Sequence, residues 1–384
     1  MELYFDGAAT TPLLPEVEQE LTSSFSLYGN PSSLHAKGVA SDRAIQTARR
    51  AVLGNLGAKS GRVIFTGSGT EANNLAIAGV LRRFRERGRH IVTSAIEHPS
   101  VLEAVRGWQR EGWEVTFISP RQDGGVRAED VLDAVRPDTV LVSLMHVNNE
   151  TGAILPVVEV GQVLRGIPKT LFHVDGIQAF GKLDTAAAVR FADLYSLSGH
   201  KVGAPKGVGA LYLRDGLELE PLCYGGGQEF GLRSGTENVL GIIALGRAAT
   251  VAAEHRVHNL EVCSALATSL VEGLEAISGC MVQRPETASP YIVSAAFPGL
   301  RGEVLVHAFE AQGLYVSTGS ACSTRRGHVS RSHVLTAMGR SEAEVTGTIR
   351  FSLGWWSTPE MVEQALSVVS EQVHWLMGVT RRGR

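Results

Sequence analysis

Short apolar runs recur along the first part of the chain, at 90–93, 115–118, 140–144, 171–174 and 194–197. They are apolar enough to predict strands buried within a sheet, and polar stretches of helical character, such as 129–134, separate several of them. The alternation predicts an α/β fold with a mainly parallel sheet. Ligand-handling groups in such sheets gather beyond the strand ends, and His98, Asn149, Asp175 and His200 all lie just past these runs, so one site can collect them. Farther on, Leu260, Cys263, Leu266, Leu270 and Leu274 repeat at helical spacing, which predicts a long amphipathic helix leading out of a first domain near Arg256. A mixed α/β stretch follows, then a final helix with Met361, Ala365, Val369, Val373 and Leu376 on one face.

Composition narrows the classes. The 384 residues are 44% hydrophobic and 20% charged, with a formal net charge of −3, which fits an ordinary soluble globular protein and offers no global basic field for stable nucleic-acid binding. No apolar run approaches the roughly 20 residues of a membrane span, and the opening Met-Glu-Leu-Tyr-Phe-Asp lacks the pattern of a signal peptide, so no membrane contact and a cytoplasmic location are expected. The four cysteines form no CxxC pair; Cys223, Cys263 and Cys280 are read as inert packing residues, and no metal site is expected. The arginine-rich 381–384 reads as a solvated tail.

Cys322 stands apart, because its neighbours Gly319, Ser320, Ala321 and Ser323 are too small and polar to build an apolar pocket around a thiol. Lys201 follows Leu197-Ser198-Gly199-His200 and precedes a loop rich in glycine and proline, so it is read as non-helical and as an amine able to hold a carbonyl cofactor as an imine. The two together point to sulfur chemistry on such an imine. The turn Gly67-Ser68-Gly69-Thr70-Glu71 opens a helix, which suits a phosphate and equally suits a plain turn with Ser68 or Thr70 as cap. Its spacing is neither a Walker loop nor a dinucleotide fingerprint. Asp175 ends a buried run, where it could pair with a protonated pyridine nitrogen or cap the next helix.

These motifs, in this order, resemble the cysteine desulfurases of the class V aminotransferase family. The resemblance runs from Tyr4-Phe5-Asp6-Gly7-Ala8-Ala9-Thr10-Thr11-Pro12 to Ile349-Arg350-Phe351-Ser352-Leu353-Gly354. It takes in Gly29-Asn30-Pro31-Ser32-Ser33, Glu97-His98-Pro99-Ser100, Val147-Asn148-Asn149-Glu150-Thr151-Gly152, Gly225-Gly226-Gly227-Gln228-Glu229 and Leu232-Arg233-Ser234-Gly235-Thr236-Glu237. It implies a pyridoxal 5'-phosphate-dependent transferase fold of the aspartate aminotransferase type, with a large cofactor-binding domain over 14–255. A small domain of 1–13 plus 256–384 would carry the cysteine loop. Lys201 would hold the cofactor, Asp175 pair with its ring nitrogen, and His98 stack on its ring. Gln178 and Asn149 would bond the ring oxygen and its surroundings. Gly69, Thr70, Ser198 and His200 would bind the phosphate, joined by Thr236 from the second subunit of a homodimer. Arg350, with Asn149, would hold the substrate carboxylate, since a guanidinium offers a planar fork. L-cysteine would become L-alanine and leave a persulfide on Cys322, with Lys201 and His98 as acid/base groups. A sulfur-acceptor protein would follow, an iron–sulfur scaffold first, with tRNA thiolation or DNA sulfur modification open. A selenocysteine lyase, a class V aminotransferase and an idle sulfur-transfer scaffold are the rival readings. The segment 323–331, with Arg325, Arg326 and Arg331, is more basic than the family's usual loop, and Trp355-Trp356 replaces its arginine–aromatic pair.

Overall fold

Strands that alternate apolar side chains to both faces are stable only when both faces are covered, and the central sheet is built this way. A computed structural model describes residues 2–319 and 331–382. The chain runs through β1 (Leu3–Tyr4), α1 (Pro15–Ser24), α2 (Ala36–Leu56), β2 (Arg62–Thr66), α3 (Gly69–Arg83), β3 (His90–Ser94), α4 (Pro99–Arg110) and β4 (Glu114–Ile118). There follow α5 (Ala128–Asp133), β5 (Thr139–Met145), α6 (Val157–Leu164), β6 (Leu171–Asp175), α7 (Ala186–Phe191), β7 (Leu194–Ser198) and β8 (Gly209–Leu213). The last part holds α8 (Val239–Glu275), β9 (Met281–Val282), β10 (Ile292–Ala296), α9 (Gly302–Glu310), β11 (Leu314–Tyr315), α10 (His333–Ala337), α11 (Glu342–Thr346), β12 (Thr348–Ser352) and α12 (Pro359–Arg382).

Seven strands form the large sheet in the order β2-β8-β7-β6-β5-β3-β4. The pairs from β7 to β4 are parallel, and β8 runs antiparallel to both of its neighbours. The expected mainly parallel α/β sheet is therefore present, with an antiparallel edge that the apolar runs did not disclose. Alternation within the strands divides two cores: Val63, Phe65, Ala210 and Tyr212 face the core shared with α2 and α8. Ile64, Leu211 and Leu213 face α3 and α4. Full burial on both sides explains why these strands read as continuous apolar runs rather than as alternating ones.

A third core belongs to the small sheet, where β10 lies antiparallel between β12 and β9. It gathers Leu3, Phe5, Cys263, Leu270, Phe309, Phe351 and Val369, so the first strand, the end of α8, α9 and α12 pack together. The amphipathic helix expected after Arg256 proves to be the second half of α8, a 37-residue helix. Its first half, with Gly241 to Ala249 almost wholly buried, is apolar all round and so carries no periodic signal. There Gly246 packs directly on Ala48 of α2, where a Cβ would stand 2.6 Å from the alanine backbone. The position between residues 255 and 256 falls inside this helix rather than in a linker. Cys223 is exposed, which corrects its reading as a packing residue; it lies in a glycine-rich loop with no core to bury it. Among the described residues, no helix is long and apolar enough to cross a membrane.

One buried ion pair anchors that loop. Arg49 on α2 donates through both terminal nitrogens to the Glu229 carboxylate at 2.9 Å and also to the Val63 carbonyl. Glu229 in turn accepts from the Phe65 N–H at 2.8 Å. Glu229 and Phe230 are held in the left-handed region, at φ 48° and 59°, a conformation that persists only where neighbouring contacts fix it. Removing the cation leaves a buried carboxylate unpaired, so Arg49→Met is expected to cost about 3–5 kcal/mol of stability, read as a lower urea midpoint. A loss below about 1 kcal/mol would show that the pair does not hold the loop.

Candidate active site

Helix and strand ends converge on a cavity of about 490 Å³ beyond the carboxyl edge of the large sheet. Gly69, Thr70, His98, Asn149, Asp175, Gln178, Ser198, His200, Lys201 and Arg350 all line it. Thr236 does not; it is exposed on the loop anchored by Arg49 and Glu229. Cys322, with Arg325 and Arg326, lies outside the described residues, and the ends of that segment, Gly319 and Arg331, both border the cavity.

Asp175 closes β6 and is buried, and burial raises its carboxyl pKa while the Ile177 N–H, the Asn73 amide and Lys201 oppose the rise. Its oxygens accept from Asn73 Nδ2 at 2.7 Å and from the Ile177 N–H at 3.1 Å. The same Asn73 nitrogen donates to Ser100 Oγ at 2.9 Å. Ser100 Oγ lies 2.8 Å from His98 Nδ1, which also accepts from the Ser100 N–H at 3.1 Å. A ring nitrogen that accepts from a backbone N–H carries no proton, so neutral His98 holds its proton on Nε2. Burial, Lys201 and His333 push its pKa down to about 4.

The phosphate-type turn and the helix-cap reading prove compatible. Ser68 caps α3 by accepting from the Glu71 N–H at 3.1 Å, while Glu71 accepts from the Gly67 N–H at 2.8 Å and pairs with Arg233 at 3.0 Å. The N–H groups of Gly69 and Thr70 remain beyond the reach of intrahelical acceptors. Gly69 is closely packed: a Cβ there would stand 2.3 Å from Ile177 Cδ1 and 3.1 Å from Ser198 Cβ, so Ile177 would have to shift. Beside it the Ser198 hydroxyl is buried with no hydrogen-bond partner among the described residues, a group that an anionic oxygen would satisfy.

Lys201 ends a single 3-10 turn, Gly199–Lys201, rather than an irregular loop; the Val202 N–H to Gly199 carbonyl bond closes it before Gly203 and Pro205 can interfere. Its Nζ donates to the Ala8 and Ala9 carbonyls at 2.5 and 2.6 Å, and Gln178 Nε2 donates to the same Ala8 oxygen at 2.9 Å. His200 pins the adjoining segment through its carbonyl, which accepts from the Thr11 N–H at 2.9 Å. Arg350, its side chain only 3% exposed, donates to Asp6 at 2.9 Å and to the Asn149 carbonyl at 2.8 Å. Its Nε is buried and unpartnered, so part of the fork stays available.

Several residues in and beside the site were given no role by the sequence, although Glu97 and Glu150 stand in its motifs. Glu97 is fully buried, accepts from Ser94 Oγ at 2.5 Å and the Met145 N–H at 3.0 Å, and has its pKa pushed up to about 8 by burial. Glu150 lines the cavity, accepts from Ser332 Oγ at 2.5 Å, and is likewise shifted upward by burial. His333 also lines it and donates from Nε2 to the Glu97 carbonyl at 2.9 Å. Only Ser332, a helix-cap residue before an apolar run, could have marked this element in advance.

The aminotransferase class-V family model matches residues 3–365. The cysteine desulfurase IscS of Methanosarcina thermophila is 39% identical over 380 residues, spanning 98% of this chain and 93% of that protein. A solved structure named NifS-like protein superposes with a TM-score of 0.91 at 36% identity, covering 98% of this chain and 100% of the other. Another, named SspA in complex with cysteine, has a TM-score of 0.80 and 36% identity, covering 93% of this chain and 100% of the other.

Behind the cavity, burial alone lowers His146 to about 4, its Nδ1 lying 2.9 Å from the Tyr195 hydroxyl. The folded state thus refuses a proton that the unfolded chain takes near pH 6.5, so stability falls as pH drops from about 6.5 toward 4. Between pH 7 and 5 the cofactor-free protein is expected to lose about 2 kcal/mol more stability than His146→Gln, by urea unfolding. Equal losses would mean that His146 is charged in the fold.

Proposed function

The chain belongs to the class-V aminotransferase family, and within it we propose that the chain is a cysteine desulfurase, taking sulfur from L-cysteine and releasing L-alanine. The family depends on pyridoxal 5'-phosphate. The observation that carries the reading is one cavity uniting the Lys201 amine, the buried Asp175 carboxylate and the orphaned Ser198 hydroxyl at the start of α3. An amine, a carboxylate in need of a cation, and free N–H and O–H donors match the carbonyl, ring nitrogen and phosphate of that cofactor. When bound, the cofactor withdraws electrons from an attached amino acid, which loosens its α-proton and its β-substituent.

Lys201 is the group to hold the cofactor covalently, and Asp175 keeps a ring nitrogen protonated. Gly69, Thr70, Ser198 and His200 would hold the phosphate, Gln178 and Asn149 would bond the ring oxygen, and His98 would stack on the ring. Thr236, exposed on its loop, is assigned to the cavity of a second copy. Homodimerisation is supported by the exposed apolar residues Phe25, Tyr28, Tyr224 and Leu34, the last 98% exposed, which a partner surface would cover. Arg350 orients the substrate carboxylate. Because neutral His98 carries its proton on Nε2, it donates, and the Lys201 amine is the group able to take the α-proton. Cys322 then accepts the sulfur: the substrate C–S bond breaks, an S–S bond forms, and the carbon side gains the proton to become alanine. The persulfide passes to an acceptor protein, first among them an iron–sulfur scaffold. We divide the chain accordingly into a cofactor domain of 14–255 and a small domain of 1–13 plus 256–384, sharing α8, and place the protein in the cytoplasm.

Lys201→Ala is expected to abolish the visible absorbance of bound cofactor, and an unchanged spectrum would sink the site. Cys322→Ser is expected to keep that absorbance and its response to L-cysteine while alanine formation falls at least about 100-fold, as for loss of a nucleophile. Alanine release at the normal rate would refute the role of Cys322.

A further inference from the structure

Gln178 lines the large cavity, and what its amide can do there depends on which end faces in. Four residues later, on a helical turn closed by the Phe180 N–H to Gly176 carbonyl and Leu183 N–H to Ala179 carbonyl bonds, stands Lys182. Its Nζ donates to Gln178 Oε1 at 3.4 Å. Lys182 is 8% exposed, lies over the Tyr291 ring with Nζ 5.7 Å from the centroid, and has no ion-pair partner among the described residues. It borders a separate cavity of about 260 Å³ behind the site, not the large one. An ammonium held dry without a carboxylate is costly, and burial lowers its pKa to about 8. Its cost is offset only if its hydrogen bonding serves the fold.

We propose that Lys182 is a positioning residue that fixes the Gln178 amide with its nitrogen toward the large cavity. The reason is a matter of donors and acceptors. An ammonium only donates and a carbonyl only accepts, so Lys182 at one end of the amide and the Ala8 carbonyl at the other, 2.9 Å from Nε2, admit one orientation. Turned over, the amide would set N–H against ammonium and oxygen against oxygen. One N–H of Nε2 is spent on Ala8, and the second is what Gln178 can present to a ligand. Lys182 thereby makes this position a donor for an anionic oxygen; this rests on the reading of the cavity as a pyridoxal phosphate site, where that oxygen is the ring's.

The test uses the purified holoprotein, stripped of cofactor and titrated with pyridoxal phosphate, with two readouts: the dissociation constant and the pH midpoint of the visible absorbance. Lys182→Met is expected to weaken binding about fivefold, the equivalent of one lost hydrogen bond, and to move the midpoint up by about half a pH unit. Lys182→Arg, which still donates, is expected to retain the wild-type midpoint. In a Gln178→Leu background Lys182→Met should add nothing, because the two act as one unit. An undiminished second effect there would show that Lys182 acts by charge alone and overturn the proposal, as would a Lys182→Met protein with wild-type affinity and midpoint. Should Lys182→Met fail to fold, Lys182→Leu, which likewise cannot donate, carries the same two measurements with the same expected shift. A wild-type chain that binds no pyridoxal phosphate overturns the site reading and this proposal with it, whereas normal wild-type binding beside silent variants overturns this proposal alone.

Discussion

The site depends on a carboxylate that is almost wholly buried at the edge of the cavity. Asp175 ends a strand buried on both sides and accepts from two N–H donors, with the Lys201 charge also acting on it. Such a group either takes up a proton or waits for a positive partner, and burial does raise its pKa. The Asn73, Ser100 and His98 chain that braces it also decides where the imidazole proton lies, so the same set of bonds prepares an acceptor for one charge and a donor on the other side of the cavity. A cofactor with a basic ring nitrogen completes this arrangement; a neutral ligand would leave it costly.

The segment from Phe5 to Thr11 ties the two halves of the site together. Its Ala8 and Ala9 carbonyls receive Lys201, its Asp6 pairs with Arg350, and Thr11 bonds to His200. Ser352 of β12 donates to the Phe5 carbonyl at 2.7 Å and accepts from the Ala8 N–H at 3.0 Å, which welds this segment to the small sheet. The lysine of the large sheet and the arginine of the small one are thus held at a fixed separation by a strip of backbone. Arg350 is already paired with Asp6, so a substrate carboxylate bound there would have to draw on the remaining N–H groups or displace that partner.

Much of this was legible in the chain because burial on both faces writes strands as apolar runs, and because residues placed just past those runs end at one sheet edge. His98, Asp175, Ser198, His200 and Lys201 follow that rule. The first half of α8 was not legible, since a helix apolar on every side has no period, and β2 and β8 were not read as strands although they are as long as most of those that were. Asn73 was hidden for a related reason: it and Asn74 sit together in a helix, and only packing decides that Asn73 faces Asp175. Glu97, Glu150 and His333 matter through where they are buried, which residue type alone does not reveal.

The electrostatics of the cavity follow from the burial of the groups around it. Burial keeps His98, His200 and the nearby His146 below their ordinary range, so at neutral pH these rings carry no charge. Positive charge for an anionic ligand therefore comes from Lys201, Arg350 and Arg331, supplemented by the N–H groups at the start of α3. The distinction has a chemical consequence. A charged imidazole over a cofactor ring would oppose the protonated nitrogen that Asp175 favours, whereas a neutral one can lie against it and still offer the Nε2 proton. Burial keeps His98 neutral, whereas for Asp175 it works against the charged form, which the Ile177 N–H, the Asn73 amide and Lys201 favour.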